Sequence, residues 1–211
     1  MDKKIIKAMY ANATSRDELH PQLCGVHFEE NRCYASDGHV LTIFNEGSKS
    51  FNGKTIDLDG TVIEGRFPNV DAVFPAKDQW KDFGARIDLQ QLQRACAWQR
   101  RRIGSNQRDL VVFGDIGLTI EALNRVLLIY QAAGELDGAE IFSTGNNRPV
   151  VVSSGRLKSL LMPALFEIKS VDQEREEGCP TAISYGELIN DYVFNSWKRE
   201  PVAEPLAWLQ S

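Results

Sequence analysis

Short runs of strand-type sequence and longer amphipathic helical patterns follow one another along the chain. Val40–Phe44 and Leu110–Phe113 are rich in β-branched and aromatic residues, which favours strands. Asp88 and Thr119 each precede apolar residues at helical spacing and are good N-caps, so a helix is predicted to begin after each of them. Residues 2–12 also show a helical apolar stripe. The chain is therefore expected to build both strands and helices.

The remaining pattern is mostly made of short strands. The Asp59-Gly60 pair predicts a tight turn between two strands. A connector is predicted over 65–80, because Phe67-Pro68 and Phe74-Pro75 favour extended backbone. A helix is predicted over 185–197, with Leu188, Ile189, Tyr192 and Val193 facing inward. Segment 171–177 is predicted to be a loop. The apolar residues of 197–209 are predicted to pack on the chain or on a neighbour. Further strands are predicted over 23–28, 33–35, 55–58, 61–64, 139–142, 149–152 and 157–165.

Charge is unevenly distributed along the chain. The formal net charge is -5, and residues 167–211 alone hold nine acids and four bases, so the rest of the chain is neutral overall. Residues 84–108 hold six arginines and one acid. This segregation indicates where an anionic partner could bind, although the average charge does not suggest one.

Cysteine and histidine form no metal-site pattern. Cys24, Cys33, Cys96 and Cys179 contain no C-x-x-C pair, and the chain has three histidines. A Cys/His metal centre is therefore not expected, and the cysteines are predicted to be reduced and mostly buried. No apolar run approaches the ~20 residues of a membrane span, and Met1–Lys7 lacks the features of a signal peptide. The protein is expected to be cytoplasmic, with no membrane partner.

Two further patterns carry little weight as functional sites. Ser36, Asp37 and His39 are the residue types of a hydrolase triad, but they are nearly adjacent, whereas a triad is assembled by the fold. Thr55-x-Asp57-x-Asp59-Gly60 resembles the start of an EF-hand loop, but Arg66 stands where the bidentate glutamate belongs. No catalytic residue, cofactor or metal site is predicted.

Three separated segments form a more specific pattern. They are Ala35-Ser36-Asp37-Gly38-His39-Val40-Leu41, Glu64 to Pro75 (EGRFPNVDAVFP) and Ser159-Leu160-Leu161-Met162-Pro163-Ala164-Leu165. In this order they resemble the bacterial DNA polymerase sliding clamp, or beta clamp, family. That family has a T-D-G-H-R-L, a G-R-F-P-D-Y and a chain-terminal V-M-P-M-R-L segment. In the family these segments form a hydrophobic pocket for clamp-binding peptides of polymerases and other partners.

The resemblance implies a fold and a domain plan. The fold is the α+β DNA-clamp architecture, with antiparallel sheets and helices on one face. Residues 1–80 resemble a reduced middle domain, and residues 81–168 a shortened last domain, followed by an acidic extension over 169–211. The family's first domain has no counterpart, and the middle domain is expected to lack its second helix and adjoining strands. Because family clamps close as dimers, the resemblance allows a homo-oligomer, but the number of subunits stays open.

Carried over position by position, the resemblance implies a partner-peptide pocket. An apolar slot of this kind would bind leucine or phenylalanine anchors, and methionine would let it adapt. The arginine of the family's first segment is Val40 here, and the chain continues to Ser211 beyond the third segment. The specificity is therefore expected to differ, and the extension could cover the pocket. The predicted pocket residues are Leu23, Ser36, Gly38, His39, Val40, Leu41, Pro68, Val73, Val150, Leu160, Met162 and Pro163.

Basic residues on predicted helices form the second implied site. In the clamp family such residues face the DNA backbone without reading its sequence, and this attraction is salt-sensitive. A solvated helix face is the alternative interpretation. The predicted DNA-binding residues are Lys3, Lys4, Lys7, Arg94, Arg100, Arg101, Arg102 and Arg125.

Two functions follow from the resemblance and stay open at this point. One is a sliding-clamp-like DNA replication protein, which binds double-stranded DNA non-specifically and binds DNA polymerase or other clamp-binding proteins through the pocket. The other is a clamp-fold adaptor or competitor that binds replication proteins without encircling DNA. An enzyme is not expected.

Overall fold

The computed structural model describes residues 2–84, 86–103, 109–164 and 182–197, and these residues form two β-sheets with α-helices packed against them. The helices are α1 (Lys3–Ala13), α2 (Val70–Val73), α3 (Leu89–Ile103), α4 (Ile120–Ala133) and α5 (Tyr185–Trp197). The strands are β1 (Val26–Glu29), β2 (Arg32–Ser36), β3 (Val40–Phe44), β4 (Lys54–Ile56), β5 (Val62–Ile63), β6 (Leu110–Phe113), β7 (Ile116–Thr119), β8 (Glu140–Ser143), β9 (Val150–Ser153), β10 (Leu157–Leu161) and β11 (Ala182–Ser184).

Side chain–backbone bonds begin the helices where the sequence predicts them. Asp2 accepts a hydrogen bond from the Lys4 N–H at 2.9 Å, and Asp88 accepts one from the Gln91 N–H at 3.0 Å. Thr119 accepts one from the Ala122 N–H at 3.3 Å. At the other end of α4, Gly134 adopts a φ of 70°, which is a left-handed conformation that glycine takes without steric cost. The predicted starts of α3 and α4 are confirmed, and α1 begins one residue after the predicted helix 2–12, with Asp2 as its cap.

A large antiparallel sheet joins the N-terminal and C-terminal parts of the chain. Its eight strands run in the order β5-β4-β1-β2-β3-β10-β9-β8. The junction is the pairing of β3 with β10, in which Val40 lies opposite Leu161 and Phe44 opposite Leu157. The sheet is therefore continuous across residue 80, where the sequence predicts a domain boundary, and that domain division stays a prediction.

Alternation along the strands separates two apolar layers. Val40 and Phe44 belong to the main core together with helical residues, whereas Leu41 and Ile43 belong to a second cluster. This is the expected result of the two-residue period of a strand, which sends successive side chains to opposite faces. Every side chain of β3 is buried. The sheet is therefore covered on both faces at its centre.

Helices α1 and α4 pack together and cover one face of the large sheet. Their core residues include Ile5, Met9, Leu123 and Leu127. Tyr130 is also fully buried, and its hydroxyl donates a hydrogen bond to the Val152 carbonyl at 2.7 Å. Burial raises the pKa of Tyr130, so its hydroxyl stays protonated and fixes α4 against β9.

A small second sheet carries the C-terminal part of the described chain. Its order is β11-β6-β7, and β11 is parallel to β6, with Ala182 opposite Leu110. Helix α5 follows β11 and packs against α3. Leu188 is fully buried there, and the ring of Trp98 meets that of Tyr192 edge-on at 6.3 Å. The C-terminal unit is therefore part of the fold over residues 182–197.

Several predicted boundaries differ from the structure. The strand predicted from Leu23 begins at Val26, because Pro21–Leu23 form a 3₁₀ turn in which the Leu23 N–H donates to the His20 carbonyl at 2.9 Å. The strand predicted to reach residue 165 ends at Leu161, close to Pro163, which has no N–H to donate. Strands β7 and β11 and the short helix α2 are not among the predicted elements.

The predictions for helix α5 and for the cysteines are confirmed only in part. Helix α5 has the predicted bounds, but Val193 is 37% exposed rather than turned inward. Cys33 and Cys96 are buried, and burial raises the pKa of each thiol to about 12. Cys24 is half-buried. Helix α5 ends at Trp197, and the predicted loop 171–177, Leu165, Cys179 and residues 198–209 of the segment predicted to pack lie outside the described residues.

The carboxylate of Glu135 ties the end of α4 to the turn between β9 and β10. It accepts hydrogen bonds from the Ser154 hydroxyl at 2.5 Å, from the Arg156 N–H at 3.0 Å and from the Arg156 guanidinium. Arg156 also reaches Glu46 at 3.2 Å. Burial alone would raise the pKa of Glu135, but the bonds from Ser154 and Arg156 outweigh it and hold the pKa below its usual value.

We expect Glu135→Gln to lower stability at neutral pH by about 1–2 kcal/mol, because it removes a charged acceptor of several bonds. The wild-type advantage should be present above pH ~4.3, the usual pKa of glutamate, and should vanish as the pH falls through the lowered pKa. Thermal unfolding measured from pH 3 to pH 7 tests this. Glu46→Gln removes a more exposed partner of Arg156 and should have a smaller effect, so equal losses in both variants would contradict the prediction.

Candidate partner-binding and nucleic-acid surfaces

The three segments that carry the sequence resemblance meet on one face of the large sheet. The first and third lie side by side, since β3 pairs with β10 and Leu41 stands opposite Leu160. Beyond the end of β10, the Met162 N–H donates to the His39 carbonyl at 2.9 Å. The second segment lies over the same face, because Phe67 and Val70 pack with Leu41 and Leu160.

We call the apolar residues on this face the outer cluster. It is separate from the main core, from which the β-sheet divides it. Its centre is aromatic: the Phe67 ring stacks on His27 at 4.9 Å and lies 6.3 Å from Tyr34. Burial lowers the pKa of His27, which favours a neutral ring in this stack. The outer cluster consists of Tyr34, Leu41, Ile43, Phe67, Val70, Val151 and Leu160, with Leu23, Phe74, Trp80 and Phe142 partly buried against it.

The connecting segment 64–81 crosses the sheet over the outer cluster. It leaves β5 at one edge and reaches β8 at the other, where Lys81 and Ser143 exchange backbone hydrogen bonds of 2.8 and 2.9 Å. Arg32 of β2 holds α2 through two bonds to Asp71, at 3.0 and 3.2 Å. The Trp80 ring packs on Phe142, 5.4 Å away. The segment is therefore a fixed strap rather than a loose linker.

A tight turn between β2 and β3 carries His39 to the surface. One carboxylate oxygen of Asp37 accepts from the N–H groups of His39, at 2.9 Å, and Val40, at 2.7 Å. The Ser36 hydroxyl donates to the Val40 carbonyl at 2.8 Å. Gly38 has a φ of 89°, which favours glycine. Ser36 and Asp37 thus hold the backbone of the turn and do not form a nucleophile–base pair with His39.

The predicted pocket residues fall into three groups. Val73 and Met162 are exposed apolar side chains, 54% and 45% accessible, and Gly38, His39 and Pro68 are also exposed. Leu41 and Leu160 are buried in the outer cluster, and Leu23, Ser36 and Pro163 are half-buried. Val40 and Val150 instead face the main core and are almost completely buried. A ligand on this face would therefore meet the exposed residues and the half-buried Leu23, Ser36 and Pro163, while Leu41 and Leu160 lie buried beneath them and Val40 and Val150 support the sheet from its other face.

The sequence resemblance missed several residues of the outer cluster. Phe67 and Val70 lie inside the second segment but were not among the predicted pocket residues. The two-residue period of the strands is a signal that could have found the others, because Tyr34, Ile43 and Val151 lie on the same strand faces as Leu41 and Leu160. Trp80 reaches the cluster through the path of the strap, whereas Phe142 lies opposite Val151 in the pairing of β8 with β9.

The basic residues of α1 and α3 form the second candidate surface. Helix α1 carries three lysines, α3 carries four arginines, and neither helix contains an acid. Arg100 is half-buried and lies 4.0 Å from Glu121, and the Arg102 guanidinium lies over the Trp98 ring at 4.5 Å. We call the exposed members of this set the basic helix face; they are Lys3, Lys4, Lys7, Arg94, Arg101 and Arg102.

Arg125 differs from the other predicted DNA-binding residues. Its guanidinium lies 2.8 Å from the Asp37 carboxylate and donates to the Asn12 carbonyl at 2.7 Å. Its side chain is 23% exposed. Because these internal contacts already use its charge, we leave Arg125 out of the basic helix face.

A separate cleft, with a volume of about 920 Å³, is lined by residues 82–84 and 86–90 on one side and 136–141 on the other. It lies beside the start of α3, and none of the predicted pocket residues lines it. Across the described ranges, no group of three or more His, Cys, Asp or Glu side chains is placed to hold a metal ion. None of the helices in those ranges is both long enough and apolar enough to cross a membrane.

Comparison with solved structures relates this arrangement to known proteins. The DNA polymerase III subunit beta of Pseudomonas aeruginosa superposes with a TM-score of 0.57 at 13% identity, over 77% of this chain and 64% of that one. The beta subunit from the DNA polymerase of Streptococcus pyogenes gives 0.60 at 13% identity, over 79% and 65%. The Bartonella birtlesii sliding clamp, solved with griselimycin, gives 0.58 at 15%, over 77% and 63%. This chain has the bacterial sliding-clamp fold.

The clamp fold confirms the architecture that the sequence resemblance implied. The chain spans less than two thirds of the length of these clamps. No protein-family model matches the sequence, and no curated protein matches it either. At identities of 13–15% the likeness is one of fold. A shared fold does not by itself assign a role to an individual surface.

Proposed function

We propose that this chain is a non-enzymatic, sliding-clamp-like accessory protein of DNA replication. The basic helix face binds the backbone of double-stranded DNA without reading its sequence. The exposed surface at Met162, His39 and Val73, which lies beside the outer cluster, binds a short apolar peptide of a DNA polymerase or another clamp-binding protein. The protein thereby holds a replication partner on DNA.

The observation that carries the proposal is the convergence of the three segments on one sheet face. Residues from 35–41, 64–75 and 159–164 are far apart in sequence, yet Leu41, Phe67 and Leu160 share one cluster. The exposed Met162 and Val73 side chains offer apolar surface beside it. Apolar grooves with a few backbone polar groups are the usual receptors of short peptides, and methionine adapts to different anchors.

The helix layer supports the DNA part of the proposal. Helix α1, which carries the three lysines of the basic helix face, packs with α4 on the face of the large sheet opposite the outer cluster, so DNA bound there and a partner peptide would not compete for one surface. The positive charge of α1 and α3 contrasts with the net charge of -5 for the chain. A local basic face on an acidic protein directs a polyanion to one side of it.

The experiment that tests this function compares open and closed DNA. Static light scattering at several protein concentrations gives the oligomeric state. A ring predicts an oligomer that stays on nicked circular DNA and slides off linear DNA of the same sequence. Equal and salt-sensitive loss from both forms would contradict encirclement, although it would leave backbone binding in place.

An adaptor that binds replication proteins without encircling DNA is the second candidate. It is favoured by the state of the sheet edges in the described ranges. Lys81 pairs with β8, Ala164 bridges to Gly117 of β7, and the remaining edge strands β5 and β11 are two and three residues long. Short or covered edges disfavour strand pairing between copies. A monomer at every concentration would favour this candidate.

A further inference from the structure

Arg125 connects three parts of the fold that lie far apart in sequence. It belongs to α4, its Nε–H donates to the carbonyl of Asn12 in α1 at 2.7 Å, and its Nη1 lies 2.8 Å from an oxygen of Asp37. Asp37 stands in the turn between β2 and β3. The side chains of Arg125 and Asp37 are 23% and 13% exposed, so the pair is only weakly screened by water.

The two oxygens of Asp37 have different partners. Oδ2 faces Arg125, whereas Oδ1 accepts the backbone N–H groups of His39, at 2.9 Å, and Val40, at 2.7 Å. The position of the carboxylate therefore sets the position of the turn. Without Arg125, the carboxylate would lose the contact that fixes its direction.

The β2–β3 turn also holds the rim of the partner pocket. The His39 carbonyl accepts the Met162 N–H at 2.9 Å, and both residues present exposed side chains. A continuous series of polar contacts thus runs from α1 and α4, through Asp37 and His39, to Met162. It begins on the helix layer and ends on the opposite side of the sheet.

We propose that Arg125 is a positioning residue of the partner pocket, which holds the Asp37–His39 turn, and through it Met162, in the geometry that receives a peptide. This rests on the proposed function of the pocket. Arginine suits the task because its planar fork donates to two acceptors in different directions, which a lysine ammonium on a flexible stem does less well. The role of Arg125 is therefore distinct from that of the exposed arginines of α3.

The test uses the full chain and Arg125→Met, which keeps the length of the side chain but removes its charge and donors. We expect faster hydrogen exchange at the His39, Val40 and Met162 amides and about 10-fold weaker binding of a peptide with leucine and phenylalanine anchors. Affinity for duplex DNA should be unchanged. Arg125→Lys should lose less peptide affinity than Arg125→Met.

Two further variants complete the design. Arg94→Met is the matched control, since it removes an exposed arginine of α3 and should weaken DNA binding while leaving the three amides and peptide affinity unchanged. Asp37→Asn keeps an acceptor for the turn but loses the charge that faces Arg125. If the two groups act as one unit, the double variant Arg125→Met, Asp37→Asn should have about the same peptide affinity as whichever of the two single variants binds peptide less tightly.

The outcomes separate this inference from the proposed function. Unchanged exchange at the three amides in Arg125→Met would overturn the positioning role, whether or not any peptide binds. Weaker DNA binding with unchanged peptide binding would overturn it in favour of a phosphate contact. If the wild type bound no peptide at all, the proposed pocket would fall, and amide exchange would still decide whether Arg125 holds the turn.

Discussion

Replacing the six residues of the basic helix face by glutamine is expected to lower affinity for duplex DNA by about 10³-fold at low salt. In this variant glutamine replaces Lys3, Lys4, Lys7, Arg94, Arg101 and Arg102. Each of these side chains is exposed, so the change should leave the fold intact. If all six meet phosphates, the slope of log affinity against log salt should fall by about five. Fluorescence anisotropy with a labelled duplex between 50 and 300 mM salt measures both quantities.

A control variant separates the helix face from net charge. It removes the same number of positive charges from exposed residues outside α1 and α3. These residues are Lys49, Lys54, Lys77, Lys81, Arg66 and Arg148. The control should lose little affinity and keep its salt slope, because none of its charges lies on α1 or α3. Equal losses in the two variants would show that total charge, rather than the helix face, determines DNA binding.

Met162→Asp is expected to weaken peptide binding by about 100-fold, or about 2.7 kcal/mol. The Met162 side chain is 45% exposed beside the outer cluster, so an apolar anchor placed there would bury a carboxylate without a partner. The backbone bond from Met162 to His39 does not depend on the side chain, and the fold should persist. Calorimetric titration with a peptide that carries leucine and phenylalanine anchors gives the affinity.

Val62→Asp is a closely matched control for this prediction. Val62 is also 45% exposed, but it lies in β5 at the edge of the sheet. It should bind peptide like the wild type, and Met162→Leu should bind nearly as well, since an apolar surface is kept. Wild-type affinity in Met162→Asp would place the peptide elsewhere on the protein.

Much of the local structure was predictable from short stretches of sequence. Asp88 and Thr119 begin α3 and α4 because a cap needs only a side chain and an N–H group three residues later. The Asp59-Gly60 turn joins β4 to β5 for a similarly local reason, in which Thr55 pairs with Ile63. The clamp resemblance was also visible, because its three segments preserve residue types at turns and strand ends.

The candidate pocket was predictable only in outline. Leu41 and Leu160 lie opposite each other on paired strands, whereas Val40 and Val150, which the resemblance grouped with them, face the main core. Resemblance carries over positions in a chain, whereas the face on which a strand side chain lies depends on register. The same applies to Arg125, whose partners Asn12 and Asp37 are brought to it by the fold.

By itself, the sequence determined the main helix starts, the β4–β5 turn and the segregation of basic and acidic residues, because these depend on neighbouring residues alone. Only the tertiary structure decided that β3 pairs with β10, that β11 joins β6 in parallel and that the strap crosses the outer cluster. Those contacts join residues far apart in the chain. They form because pairing the sheet and covering both its faces buries apolar surface and satisfies backbone groups together.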